Sequence, residues 1–157
     1  MEELSPDEII HKYFNTVYRL ALSQTCNVSY AEDVTQDVFL KYWQKKDTLK
    51  SDEHIKAWLI RVTINQSKSV FMSSWFKKTV PLSEEITFDS EEKSDVYFAV
   101  QELPLKYRTV VHLFYYEDMG IKEISACLNI KESTVKSQLH RGRKMLKTVL
   151  KGGYDFV

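Results

Sequence analysis

Turn-formers are scarce in this chain: 4 glycines and 3 prolines in 157 residues. Folds built from many short strands need turns, so the scarcity favours a mostly helical chain. Cysteine is limited to Cys26 and Cys127. The two form no ligand or redox motif, which reads as two reduced, part-buried thiols in a cytoplasmic protein. No apolar run approaches the roughly 20 residues a membrane span needs. The start, MEELSPDEII, is acidic and lacks the positive opening of a secretory signal. There is no internal repeat, no low-complexity tract and no glycine-rich phosphate loop. His11, His54, His112 and His140 are scattered, and each reads as a surface or packing residue. The residues themselves point to no catalytic residue, metal, cofactor or small-molecule substrate.

What is present is apolar material in helical rhythm. Hydrophobic residues make up 43% of the chain, enough for packed cores. The length suits one ordinary domain or two small ones. The spacing predicts a first helix over 7–23, with Ile10, Phe14, Val17, Tyr18 and Leu22 near a 3.6 period. Ser29 and Glu32 read as a capping box opening a second helix that runs to about Trp43. Its inward face is Val34, Val38 and Tyr42. Residues 44–54 read as a polar loop. A third helix is expected from Ile55 to about Met72. Its apolar side is Ile55, Leu59 and Val62, with Trp58 favoured as core packing over a stacking platform. Its polar side carries Arg61, Asn65 and Lys68.

Net charge is zero, with 22 bases against 22 acids, but the charges are sorted along the chain. From His54 to Lys78 there is no acid, while Lys56, Arg61, Lys68, Lys77 and Lys78 are present. From Glu84 to Asp95 six acids face Lys93 alone. From Lys131 to Lys151 seven bases face Glu132 alone. Two cationic surfaces joined by an anionic strap can grip a polyanion despite zero net charge. Periodicity fades over 77–95, and that stretch reads as a linker. Leu103-Pro104 then opens a new helical segment, because proline fits a first helical turn. The expected fold is all-α. Two small helical domains, 1–76 and 97–157, are joined by an acidic linker, 77–96.

Within the second half, IKEISACLNIKESTVKSQLHRGRKML (121–146) reads as a short helix, a turn and a longer helix. Ile121, Ile124 and Leu128 line one face of the first. Asn129 tolerates the left-handed backbone that a sharp corner needs. Val135, Leu139 and Leu146 face inward from the second helix, while Ser133, Lys136, Ser137, His140, Arg141 and Lys144 face outward. Such a donor-rich helix fits a DNA major groove. The plainer reading is a solvated helix of a bundle. Gly142 counts mildly against the helix-turn-helix, since glycine costs ~1 kcal/mol inside a helix.

The stretch LPLKYRTVVHLFYYEDMGIKEISACLNIKESTVKSQLHRGRKMLK resembles the −35-binding domain of bacterial RNA polymerase sigma factors of the extracytoplasmic-function group, within the housekeeping-type sigma family. AEDVTQDVFLKYW resembles that family's core-polymerase-binding helix, and IKAWLIRVTINQSKS resembles its −10-reading helix. The matches run in order over most of residues 10–150. Gly142 replaces a common Ala, Asn129 a common Gly, and Gln138 a frequent basic residue.

The resemblance implies a sigma factor that binds core RNA polymerase and directs promoter recognition and transcription initiation. It places Lys136, Ser137, His140 and Arg141 at the −35 element, with Thr134, Arg143 and Lys144 on phosphates. It places Leu49, Arg61, Asn65 and Lys68 at the −10 element, with the 44–54 loop cradling a flipped base. It places Asp33, Gln36, Asp37 and Leu40 at the core-polymerase interface. The implied partners are core RNA polymerase, promoter DNA and a membrane-linked anti-sigma factor. The linker would thread the polymerase channel that later carries RNA. Rivals from the residues alone are a stand-alone helix-turn-helix transcriptional regulator, an enzyme and a protein-interaction bundle.

Overall fold

The computed structural model describes residues 4–74 and 99–150, with the backbone alone for 71–74. Among the described residues there are six α-helices of defined extent, residues 99–101 are also helical, and there is no strand. The helices are α1 (Pro6–Thr25), α2 (Val28–Lys45), α3 (Asp52–Ser74), α4 (Leu105–Tyr115), α5 (Ile121–Leu128) and α6 (Glu132–Val149). The chain divides into two compact units, Met1–Leu82 and Ser83–Val157. The acidic stretch 77–96 lies outside the described residues.

In the first unit α1, α2 and α3 pack pairwise around one core. Ile9, Tyr13, Val17 and Leu20 of α1 meet Val34, Val38 and Tyr42 of α2, and Ile55, Leu59, Ile60 and Ile64 of α3 complete the core. Phe14, expected in the core stripe, is instead 47% exposed. Apolar residues occur on two neighbouring faces of α1, and packing selected the 9-13-17-20 row. The caps of α1 and α2 also differ from expectation. Ser5 and Glu8 form the capping box, at the start of α1. The N-cap of α2 is Asn27, whose side-chain oxygen accepts from the Tyr30 amide at 2.9 Å. Ser29 therefore falls inside the first turn. Cys26 adopts the left-handed conformation (φ 53°) and ends α1 directly against that cap, so almost no loop separates the helices.

In the second unit α6 packs on α4 and α5. Proline opens α4 as anticipated, with Pro104 at the N-cap. Val110, Val111, Leu113, Ile124, Val135, Leu139 and Leu146 are all buried. Asn129 takes the left-handed turn (φ 56°, ψ 47°) between α5 and α6. The Ser125 hydroxyl donates to the Ile130 carbonyl across that corner, and the Ile130 amide donates back to the Ser125 carbonyl. Between α4 and α5, buried His112 meets buried Glu117 at 2.8 Å. The turn that follows is closed by the Met119 amide on the Leu113 carbonyl.

Candidate nucleic-acid and polymerase interface

The second helix of the helix-turn-helix, α6, carries its cations outward because its apolar residues are committed inward. Val135, Leu139, Gly142 and Leu146 are buried against the unit, and Lys136, Ser137, His140, Arg141 and Lys144 are exposed. The structure thus brings together the five outward residues on one face of one helix. The neighbouring Arg141 guanidinium, foremost, and the Lys106 ammonium hold the Tyr107 phenol below its usual range despite burial of the ring.

Two residues of the same group sit differently. Thr134 is half-buried at the start of the helix. Arg143 is half-buried and braced by α4: its Nε donates to the Tyr115 hydroxyl at 2.6 Å. The guanidinium also lies 5.6 Å over the Phe114 ring and 5.7 Å over the Tyr115 ring. Sequence periodicity gave no sign of this brace.

Gly142 is buried where α6 crosses α4. A Cβ there would come within 2.7 Å of the Val111 side chain and 3.7 Å of Tyr107. Its helix-propensity cost is the condition for close approach, not evidence against the helix pair.

In the first unit Arg61, Asn65 and Lys68 are exposed along one face of α3, opposite buried Leu59, Thr63, Ile64 and Ser67. Leu49 is not on that row. It turns inward from the loop and is buried, lining a cavity with Ile9, Tyr42 and Ile55. Ile55 precedes Arg61 by six residues, which is about 9 Å along a helix. The loop itself shrinks to 46–51, because α2 and α3 each extend further than anticipated. Asp52 at the start of α3 accepts from the Tyr13 hydroxyl at 2.7 Å and the Lys12 ammonium at 2.8 Å. These donors hold the Asp52 carboxyl below the usual carboxylate range, the Lys12 bond foremost. Burial, then the Asp52 contact, pushes the Tyr13 phenol well above its usual range. Trp58 is half-buried, its ring tilted against Tyr42 at 6.4 Å between centroids.

On α2, Asp33, Gln36 and Leu40 are exposed, Leu40 at 62%. Asp37 is half-buried and accepts from the Gln66 amide at 3.2 Å, while the Gln66 oxygen accepts from Lys41 at 2.6 Å. Sequence reading missed Trp43. It is 47% exposed and continues the 36-40-43 row, with the Lys46 ammonium 4.7 Å over its ring. An exposed tryptophan beside an exposed leucine is the kind of anchor that protein interfaces favour. No described helix is long and apolar enough to cross a membrane.

Comparison with known proteins agrees with this layout. Residues 9–76 match the family model for sigma-70 region 2, and residues 94–146 match that for sigma-70 region 4. The ECF RNA polymerase sigma factor SigM of Bacillus subtilis (strain 168) is 31% identical over 163 residues, covering 95% of this chain and 97% of the relative. The RNA polymerase sigma factor SigV of the same organism is 31% identical over 139 residues, covering 85% and 83%. Among solved structures, the sigma factor RpoE in complex with the anti-sigma factor NepR from Bartonella quintana superposes with a TM-score of 0.74 at 21% identity, covering 94% of this chain and 98% of that one. CnrH in complex with the cytosolic domain of CnrY gives 0.72 at 20% identity, covering 95% and 89%. With regions 2 and 4 in series and full-length relatives above 30% identity, the chain belongs to the extracytoplasmic-function group of the sigma-70 family, the sigma factors that direct RNA polymerase to promoters for transcription initiation.

Proposed function

We propose a division of labour among the faces described above. Residues 1–76 bind core polymerase and the −10 element, 77–96 are a tether, and 97–157 bind the −35 element. The observation that carries this reading is the outward donor face of α6 set against its buried Val135, Leu139, Gly142 and Leu146 stripe.

Lys136, Ser137, His140 and Arg141 read base edges in the major groove, where donors of this kind match purine and phosphate acceptors. Thr134 and Lys144 take phosphates. The brace on Arg143 favours a positioning role for it in place of a phosphate contact. Arg61, Asn65 and Lys68 track the single-stranded −10 segment, and the Leu49 corner receives an unstacked base. Asp33, Gln36, Asp37 and Leu40 dock on core polymerase, and exposed Trp43 extends that surface. The acidic tether suits a channel built for an anionic strand. The protein acts in the cytoplasm, performs no catalytic step of its own, and is held inactive by an anti-sigma partner that is membrane-linked. The solved complexes of RpoE with the anti-sigma factor NepR and of CnrH with the cytosolic domain of CnrY support an anti-sigma partner.

Purified core polymerase, this protein and a library of promoter fragments test the reading together. Specific start sites that depend on both proteins are the expected result. DNA binding without core and without transcripts would instead make it a stand-alone regulator.

A further inference from the structure

The cavity behind Leu49 has a wall that no promoter-contact assignment uses. It encloses about 650 Å³ where α1, the end of α2, the 46–51 turn and the start of α3 meet. Ile9, Tyr42, Leu49 and Ile55 give it apolar surface, and Lys12, Lys46 and Lys50 are among its lining residues. Lys12 is paired with Asp52 and Lys46 lies over Trp43, so Lys50 is the ammonium beside the apolar walls that suits the phosphate of a flat base.

The shape of this corner depends on where α3 begins. Asp52 is the first residue of α3, and its two carboxylate oxygens are taken separately by Tyr13 and Lys12. These donors are consecutive on α1 and some 40 residues distant in sequence. Next to Asp52, Ser51 accepts from the His54 amide at 3.1 Å and so caps α3. The far end of the turn is tied locally, by the Thr48 hydroxyl on the Lys45 carbonyl at 2.8 Å. Among the described side-chain hydrogen bonds of this corner, the tie to α1 is the long-range one, and with the buried Leu49 it places the turn.

We propose that Tyr13 and Lys12 are positioning residues for −10 recognition: through Asp52 they hold the 46–51 turn in the geometry that receives an unstacked base. This rests on the assignment of that turn to the −10 element. Lys12 and Asp52 side chains are 46% and 50% exposed, so their ion pair adds little to folding. The Tyr13 ring is buried, and Tyr13→Phe keeps that ring while removing the hydroxyl alone. The tie can thus be cut without unfolding the unit.

The test uses the full chain with core polymerase and a promoter recovered from the library selection. The promoter carries 2-aminopurine in the −10 element, which brightens when the base leaves the stack. Tyr13→Phe and Asp52→Asn are expected to weaken capture of the unstacked base by about two- to tenfold, the range of one hydrogen bond. Core affinity and −35 binding stay at the wild-type values, and the thermal midpoint falls only slightly. Asp52→Glu, which keeps a carboxylate for both donors, recovers part of the loss. Equal losses in core affinity and −10 capture would reduce the tie to a structural one and overturn the proposal. Lys50→Ala separates the two layers. If Lys50→Ala weakens capture while Tyr13→Phe and Asp52→Asn do not, the positioning role fails and the −10 assignment stands. If Lys50→Ala also leaves capture intact, the −10 assignment of the turn fails and the proposal falls with it.

Discussion

Gly142 shows how one missing methyl can set a helix crossing. Ala is the better helix former by about 1 kcal/mol. Here its Cβ would meet the Val111 methyl at 2.7 Å, and Val111 is itself buried and β-branched, with little room to turn away. Overpacking of this kind costs about 1–3 kcal/mol. Gly142→Ala is therefore expected to lower the stability of the second unit by about 1 kcal/mol net. Combining it with Val111→Ala should cost less than the sum of the two single changes, as read in urea unfolding.

Asp52 supplies a pH-dependent contribution at the same scale. Its folded-state carboxyl titrates below the usual range, so its contribution is present above the unfolded value of about 3.9 and is lost as pH falls through the folded one. Tyr13 acts at the other end. Its raised phenol contributes fully below about 10, and the contribution is lost as pH rises beyond that. Asp52→Asn should thus lower the thermal midpoint slightly at pH 7, with the gap to wild type closing below pH of about 4. A gap that persists at low pH would mean that the carboxylate charge is not its source.

At the scale of the element, α6 is positioned by α4 as much as by its own turn. Arg143 bonded to Tyr115 and stacked over Phe114 ties the middle of the recognition helix to the end of α4. A phosphate contact and a brace predict different salt behaviour. Each phosphate neutralised adds about 0.9 to the slope of log affinity against log salt. Lys144→Ala should reduce the slope of −35 DNA binding by about that amount. Arg143→Ala should weaken binding with the slope unchanged, and Tyr115→Phe should reproduce much of that loss. A slope reduced by Arg143→Ala would restore Arg143 to the phosphate contacts.

The elements also show what periodicity can and cannot resolve. On α6 the apolar inward positions were readable, because polar residues separate Val135, Leu139 and Leu146 cleanly, while buried Gly142 carried no such signal. On α1 the apolar residues at 9, 10, 13, 14, 17 and 18 support two stripes of equal quality. Contact with α2 and α3 chose between them and left Phe14 outside, stacked on Phe39 at 6.1 Å between centroids. The cap of α2 was misplaced because Ser29 and Glu32 match the capping pattern in spacing, while Asn27 satisfies the same amide need two residues earlier.

For the whole molecule, two separable surfaces predict two separable losses. Arg141→Ala should impair use of the −35 element and leave core affinity intact, since Arg141 is exposed on α6 in the second unit. Asp37→Arg should weaken core binding with DNA contacts preserved. Its partner Gln66 loses one acceptor, a part-buried contact of modest worth, so the fold is retained. Pull-down with core polymerase and transcription from a −35-dependent promoter separate the two. Equal loss of both activities in either variant would undo the division of labour.

Composition, charge order and the 121–146 pattern pointed to a helical chain in two parts and favoured a helix-turn-helix with its donors outward. These depend on nearest neighbours along one helix, where spacing alone decides which residues share a face. The start of α3 bound by Tyr13 and Lys12, the glycine crossing under α6 and the brace on Arg143 depend on residues from 28 to 40 positions apart. Such contacts arise when helices pack, and no local period encodes which side chains will meet.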